Sequence, residues 1–173
     1  VILLEKIKKI INNKNIEQNF NFKKIPKITI SCSLYDGDLY IEKFLEDITK
    51  QTIFDKCEMF VVNANSPGNE EEIILEYCNR YPNIQYHKLD YRATTTEVIN
   101  MVISELATGD FVTVGNIDDR RKHNCLEIQA KYLMFNEDID LVYGDCLQTK
   151  KTNETFINNS SNGSMYDHSK NKF

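Results

Sequence analysis

Hydrophobic positions along this chain change their period several times, and each change marks an element. Residues 2–12, ILLEKIKKIIN, set Leu3, Ile7 and Ile10 on one face with lysines opposite, which predicts an amphipathic helix. After a polar linker, KITISCS (27–33) reads as a buried strand. DLYIEKFLEDITKQ (38–51) follows as a helix with Ile41, Phe44, Leu45 and Ile48 inward. CEMFVVNA (57–64) is a second strand. Ser66 and Pro67 suit an N-cap and first helical position, and Glu70, Glu71 and Glu72 then occupy the first turn, where the helix dipole favours them. That helix is expected to run to about Arg80, with a third strand from Ile84 to Leu89.

Thr94 and Glu97 have capping-box spacing and open a helix through Val98, Met101, Val102 and Leu106 that halts near Gly109. A fourth strand, Phe111 to Val114, a helix from Asn124 to Asn136 and a fifth strand in IDLVYGDCLQT (139–149) complete the series. Strands alternating with helices predict an α/β fold, a Rossmann-like three-layer domain around a mainly parallel sheet. The expected organisation is a helix and linker over 1–24, the domain over 25–150 and a polar, flexible tail over 151–173.

A sheet of this kind places its site before any motif is considered. Ligands bind outside the carboxyl ends of the strands, where strand order reverses. The loops there are Leu34–Gly37, Asn63–Ser66, Asp90–Ala93 and Gly115–Arg121. The last begins where the apolar run FVTV stops at a glycine and gives way to Asn116, Ile117, Asp118, Asp119 and two arginines. Carboxylates at the mouth of a buried strand must be solvated, paired or metal-bound. If the chain stays extended there, Asn116 and Asp118 face one side and Asp119 the other. Such oxygens suit a hard cation that leaves positions for water and phosphate. The plainer alternatives are that Asp118 and Asp119 cap the next helix or pair with Arg120 and Arg121.

Composition narrows the classes. With 173 residues, one domain with a substantial core is expected. A net charge of -5 argues against nucleic acid as a partner. No apolar run approaches the ~20 residues of a membrane helix. Five widely spaced cysteines without a CxxC pair point to reduced thiols and a cytoplasmic setting. The start at Val1 and the polar end suggest a piece of a longer polypeptide with further domains. Neither GxxxxGK[ST] nor GxGxxG follows the first strand, which disfavours P-loop and dinucleotide-binding enzymes.

VVNANSPGNEEEI at the second strand and ATGDFVTVGNIDDRR at the fourth resemble the nucleotide-sugar-binding half of family 2 glycosyltransferases with the GT-A fold. The resemblance covers about Lys27 to Thr149. Most relatives read PTYN, VVDDGS and DADD where this chain has Ser33-Leu34-Tyr35-Asp36, Val61-Val62-Asn63-Ala64-Asn65-Ser66 and Asn116-Ile117-Asp118-Asp119. The resemblance implies an inverting transferase that takes sugar from a nucleoside diphosphate donor, UDP-linked by expectation, to a glycan, protein or lipid acceptor. It implies that Tyr35 and Asp36 border the base and that Asn63 and Asn65 lie near base or ribose. Asn116 would touch ribose. By their places in the loops, Arg92 suits a phosphate or ribose contact or a solvated loop position, and Arg120 suits either neutralising the diphosphate or holding Asp118 in place. Asp118, with Asp119 if it turns inward, would ligate Mn²⁺ or Mg²⁺.

Two departures stand out: Asn63 and Asn116 each replace a carboxylate, and the second removes charge from the metal site. The general base and acceptor site are expected outside this chain. Two other classes stay open. A non-catalytic donor-binding or scaffolding module could keep the fold. A nucleotidyltransferase would want a basic glycine-rich loop where SLYDGDLY is acidic.

Overall fold

The computed structural model describes residues 26–158 except Asp145, Gln148 and Lys150. The helix expected over 2–12 lies outside the described residues, as does the tail beyond Asn158.

Four strands, β1 (Ile28–Leu34), β2 (Cys57–Asn63), β3 (Ile84–Lys88) and β4 (Phe111–Val114), form one sheet in the order β3-β2-β1-β4. Every neighbouring pair is parallel, with Ile28 opposite both Cys57 and Phe111, and Met59 opposite Ile84. The helices are α1 (Ile41–Ile48), α2 (Glu70–Arg80), α3 (Thr95–Met101, continued as a π turn to Leu106) and α4 (Cys125–Phe135).

Period-2 alternation divides the strand side chains between two faces. Ile28, Ile30, Cys32 and Leu34 of β1 join Cys57, Met59 and Val61 of β2 in the larger core cluster. Onto it pack Ile41, Phe44, Leu45 and Ile48 of α1, Ile74 and Tyr77 of α2, and Leu126 and Ala130 of α4. Phe60 and Val62 point the other way and meet Val98 and Val102 of the α3 segment. The result is the expected three layers, with both faces of β2 fully buried. Chain order runs from β1 outward through β2 to β3, then jumps back across β1 to β4. The switch point is therefore the gap between the ends of β1 and β4.

Three local expectations need correction. The helix predicted from Asp38 begins at Ile41, because the amides of Tyr40 and Ile41 turn back onto the Gly37 carbonyl at 2.9 and 3.0 Å. Asp38 instead accepts from the Asn69 amide at 2.9 Å. Similarly, Ser66 and Pro67 do not open α2. It starts at Glu70 after Asn69, and Ser66 is drawn into loop contacts. Among the described residues of 139–149 no fifth strand is seen, only an isolated bridge at Leu147. A strand needs a partner to share its backbone hydrogen bonds, and among the described residues β4 is the sheet's edge, paired with β1 alone.

Candidate functional site

At the switch point lies a cleft of about 260 Å³. The end of β1 contributes Ser33, its loop Tyr35 and Asp36, and Tyr40 comes from just before α1. Arg92 and Ala93 come from the β3 loop, Thr95 from the start of α3, and Asn116, Ile117 and Asp118 from the turn after β4. Five of the nine residues expected at a site, namely Tyr35, Asp36, Arg92, Asn116 and Asp118, thus share one wall-to-wall opening.

Arg92 and Tyr35 meet across it. The guanidinium carbon stands 3.0 Å from the ring centroid, a cation-π arrangement that links the β3 loop to the β1 loop over the end of β2. The β3 loop is fixed just after Arg92 by the capping box at α3. Glu97 accepts from the Thr94 amide at 2.7 Å and its hydroxyl at 2.8 Å, and the Glu97 amide returns to that hydroxyl at 3.2 Å. These donors hold the Glu97 carboxyl below its ordinary range.

The stretch after β4 is a turn, not the extended segment expected. The Asp119 amide donates to the Asn116 carbonyl at 3.2 Å, and Asn116 Nδ2 donates to Asp119 Oδ2 at 2.9 Å. Ile117 anchors the turn by burying its side chain in the main core. Asn116 and Asp118 line the cleft, while Asp119 is engaged by Asn116. The sidedness expected of an extended segment does not carry over, because the turn pinned by Ile117 brings the Asn116 and Asp119 side chains into contact.

Of the two roles open to Arg120, its contacts in the described structure are those of a brace for the turn that carries Asp118. Its Nη1 donates to the carbonyls of Ile117 and Asp119 at 2.9 and 2.8 Å, and its Nη2 to Tyr40 O at 3.3 Å and to Asn153 Oδ1. A planar fork of donors aimed at carbonyls braces a turn. Burial pushes the guanidinium below its usual range. The following residues are bolted to the end of α1: the Arg121 amide donates to Asp47 at 3.0 Å, Gln51 Nε2 to Lys122 O at 2.8 Å, and the Thr52 amide to His123 O at 2.8 Å.

Asn63, expected near base or ribose, is 2% exposed. Its Nδ2 donates to the Tyr86 hydroxyl at 2.9 Å, and its Oδ1 accepts from the Ser66 amide at 2.7 Å. The side chain shapes the β2 loop and is not part of the cleft lining. Asn65 is exposed, holds φ at 58° and contacts Asp90 O at 3.5 Å, beside the cleft rather than in it. Asn tolerates this left-handed backbone better than most residues.

Sequence reasoning overlooked the fastening beneath the β1 and β2 loops. Glu70 is fully buried. Its Oε1 accepts from the Gly37 amide at 2.6 Å and from the Ser66 hydroxyl at 2.7 Å. Ser66 Oγ in turn accepts from the Asp36 amide at 2.9 Å. Burial opposes ionisation of Glu70, but the Ser66 hydroxyl and Gly37 amide prevail and keep its carboxyl below the usual range. The available signal was a serine and a glutamate four apart, which a helix-dipole reading absorbed.

Among the described residues no three His, Cys, Asp or Glu side chains gather as a cage for a metal ion. The cleft offers the Asp118 carboxylate with Asp36 on the adjoining wall. Hard-cation chemistry fits such a set when most of the coordination shell comes from ligand phosphate and water.

Comparison with known proteins gives the setting of this cleft. A family model described as "Glycosyl transferase family 2" matches residues 32–172. Minor teichoic acid biosynthesis protein GgaB of Bacillus subtilis is 25% identical over 127 residues, which make up 73% of this chain and 11% of that protein. An uncharacterized glycosyltransferase of Methanocaldococcus jannaschii is 28% identical over 121 residues, covering 68% of this chain and 41% of that protein. The chain therefore spans well under half the length of these relatives.

Among solved structures, residues 1–349 of S. aureus TarS in complex with UDP superpose with a TM-score of 0.59 at 22% identity, over 64% of this chain and 33% of that one. The mannosyltransferase PcManGT of Pyrobaculum calidifontis, in complex with GDP-Man and Mn²⁺, gives 0.57 at 22% identity over the same shares. These two likenesses establish the shared fold. No helix of the described residues is long and apolar enough to cross a membrane. Since the family model takes in nearly all of the chain from the middle of β1 onward, the protein belongs to glycosyl transferase family 2.

Proposed function

We propose that this chain forms the donor-binding part of an inverting glycosyltransferase that uses a nucleoside diphosphate sugar, UDP-linked by preference. The observation that carries the proposal is the convergence of Tyr35, Asp36, Arg92, Asn116 and Asp118 on one cleft at the switch point of a parallel sheet. Tyr35, with Arg92 stacked on it, offers a flat apolar and cationic platform for a base. On this reading Asp36 would accept from a base N–H, and Asn116 would reach the ribose.

Asp118 would hold Mn²⁺ or Mg²⁺ together with donor phosphate and water. When bound, the ion supplies Lewis-acid stabilisation of charge on the departing diphosphate. Because Arg120 and Arg121 donate to backbone carbonyls, the described residues bring no second guanidinium to that charge, and the cleft's anionic wall makes a cation more necessary for diphosphate binding. An acceptor hydroxyl, relieved of its proton by a base outside this chain, would attack the anomeric carbon opposite the leaving group. The lengths of the relatives support placing that base and the acceptor site elsewhere in a longer protein.

The second reading is a donor-binding module without catalysis. It draws on Asn116, whose amide donates to Asp119 where a second metal-facing carboxylate was expected. Titration calorimetry with UDP and Mn²⁺ tests the site under either reading. The parent should bind, and Asp118→Ala should weaken binding at least about tenfold, the equivalent of ~1.4 kcal/mol. Silence from the parent, or equal affinity in the variant, would defeat the donor-site assignment. A covalently complete protein that binds donor yet releases no UDP in the presence of acceptors would favour the module.

A further inference from the structure

We infer that Glu70, a residue that does not line the cleft, is the positioning residue that sets the base-binding wall. The inference rests on the donor-site reading above and goes beyond it. Tyr35 and Asp36 sit on a loop that must turn sharply: Asp36 holds φ at 50°, in the left-handed region, and it is not a glycine. Such a conformation persists only where the surroundings over-determine it. The surroundings are one buried carboxylate. Glu70 Oε1 takes the Gly37 amide directly at 2.6 Å, and through the Ser66 hydroxyl at 2.7 Å it orients the oxygen that receives the Asp36 amide at 2.9 Å. Two consecutive amides of the base-binding loop therefore end on Glu70, one directly and one through Ser66.

The carboxylate is enclosed beside the entry to α2. A Cβ on Gly68 would lie 2.7 Å from Glu70 Oε2 and 2.5 Å from Asp38 Oδ2, so a side chain there would have to displace one of these carboxylates. A Cβ on Gly37 would meet Leu34 and Ile117 side chains at 2.5 and 2.6 Å, which presses the loop backbone against the turn bearing Asp118. Glu70 Oε2 is buried and has no hydrogen-bond partner. A carboxylate left half-satisfied in a protein interior is costly, and its removal would in turn leave the Gly37 amide and the Ser66 hydroxyl without their acceptor. Its retention of two loop amides is the gain set against that cost. Glu70 touches no donor atom in this arrangement. It acts through Asp36 and Tyr35.

The test compares Glu70→Gln, Glu70→Ala and Ser66→Ala with the parent, using amide hydrogen exchange by NMR and calorimetry with UDP and Mn²⁺. Glutamine keeps an Oε1 acceptor for Gly37 and Ser66 and should stay within about threefold of the parent in affinity. Alanine at 70 should speed exchange of the Asp36 and Gly37 amides at least about tenfold and weaken UDP about tenfold, as loss of roughly one hydrogen bond's free energy at each amide implies. The Ile30 and Val61 amides, inside the sheet, should keep their protection. Ser66→Ala should free Asp36 and leave Gly37 protected.

Parent-like exchange at Asp36 and Gly37 in Glu70→Ala would overturn the inference. So would equal loss of protection at Ile30 and Val61, since that is a general loss of fold. If Glu70→Ala does not fold, Ser66→Ala alone decides: unchanged Asp36 exchange counts against the proposal. Exchange reads the positioning role even if the parent binds no UDP, so failure of the donor-site reading and failure of this inference give different results.

Discussion

Gly37 shows how tightly single residues are constrained near the cleft. A methyl there would press on Leu34 and Ile117, both in the main core. Ile117 is also the pin that holds the Asn116–Asp119 turn, so an added methyl acts on stability and on the placement of Asp118 together. Gly37→Ala should cost about 1–3 kcal/mol, the usual range for overpacking a filled interior. Urea unfolding would measure the loss, and a normal midpoint would show that the pocket yields. Arg120 belongs to the same small group of bracing residues, and its donors explain why the arginines beside the acidic pair do not make ion pairs with it in the described structure.

Elements are joined at the opposite end of the sheet by a second buried carboxylate. Glu58, at the start of β2, accepts from the Thr29 hydroxyl at 2.6 Å, the Thr108 amide at 2.6 Å and the Thr108 hydroxyl at 2.8 Å, and pairs with Lys27 at 2.5 Å. One side chain thus ties the starts of β1 and β2 to the loop that enters β4. Burial opposes its ionisation, yet Lys27, Thr29 and Thr108 outweigh that and hold it at about 2. The folded pKa lies below the ordinary 4.5, so this stabilisation is complete above about pH 4.5 and is lost as pH falls toward 2. Glu58→Gln should therefore lose on the order of 2 kcal/mol at pH 7, and its deficit should shrink between about pH 4.5 and 2. Unfolding curves of parent and variant over that range are the check. A deficit independent of pH would mean that hydrogen-bond shape, rather than charge, secures this junction.

Across the whole molecule, the central strands open last. Cys32 in β1 is fully buried and Cys57 nearly so, and burial pushes both thiols up to about 12. Cys146 is exposed. Alkylation under native conditions should modify Cys146 within minutes and Cys32 only at the rate of global unfolding, because β1 is paired on both sides and no local fluctuation frees it. Peptide mass spectrometry over a time course would distinguish the sites. Early modification of Cys32 would mean that β1 opens without the rest of the sheet, and the rigid platform under the cleft would have to be abandoned.

Most of this architecture was legible in the order of residues. Alternating apolar runs and 3.6-period stretches located β1 to β4 and all four described helices, because the burial that drives folding imprints its period on the chain. The capping box at Thr94, the bounds of β4 and the gathering of Tyr35, Asp36, Arg92, Asn116 and Asp118 at the carboxyl ends of strands were likewise recoverable from short-range patterns and a general rule of parallel sheets. What no local pattern could specify was the destination of polar side chains. Glu70 looks the same to the helix dipole whether it faces water or reaches across to Gly37. Asn63 was equally suited to a base or to Tyr86, and Arg120 to a diphosphate or to three carbonyls. The fifth strand is not seen among the described residues for a related reason, since pairing depends on an edge that the segment itself does not carry. Hydrophobic period is a property of neighbours in sequence, whereas partners such as Gly37 for Glu70 or Tyr86 for Asn63 meet only once the sheet has brought the loops together.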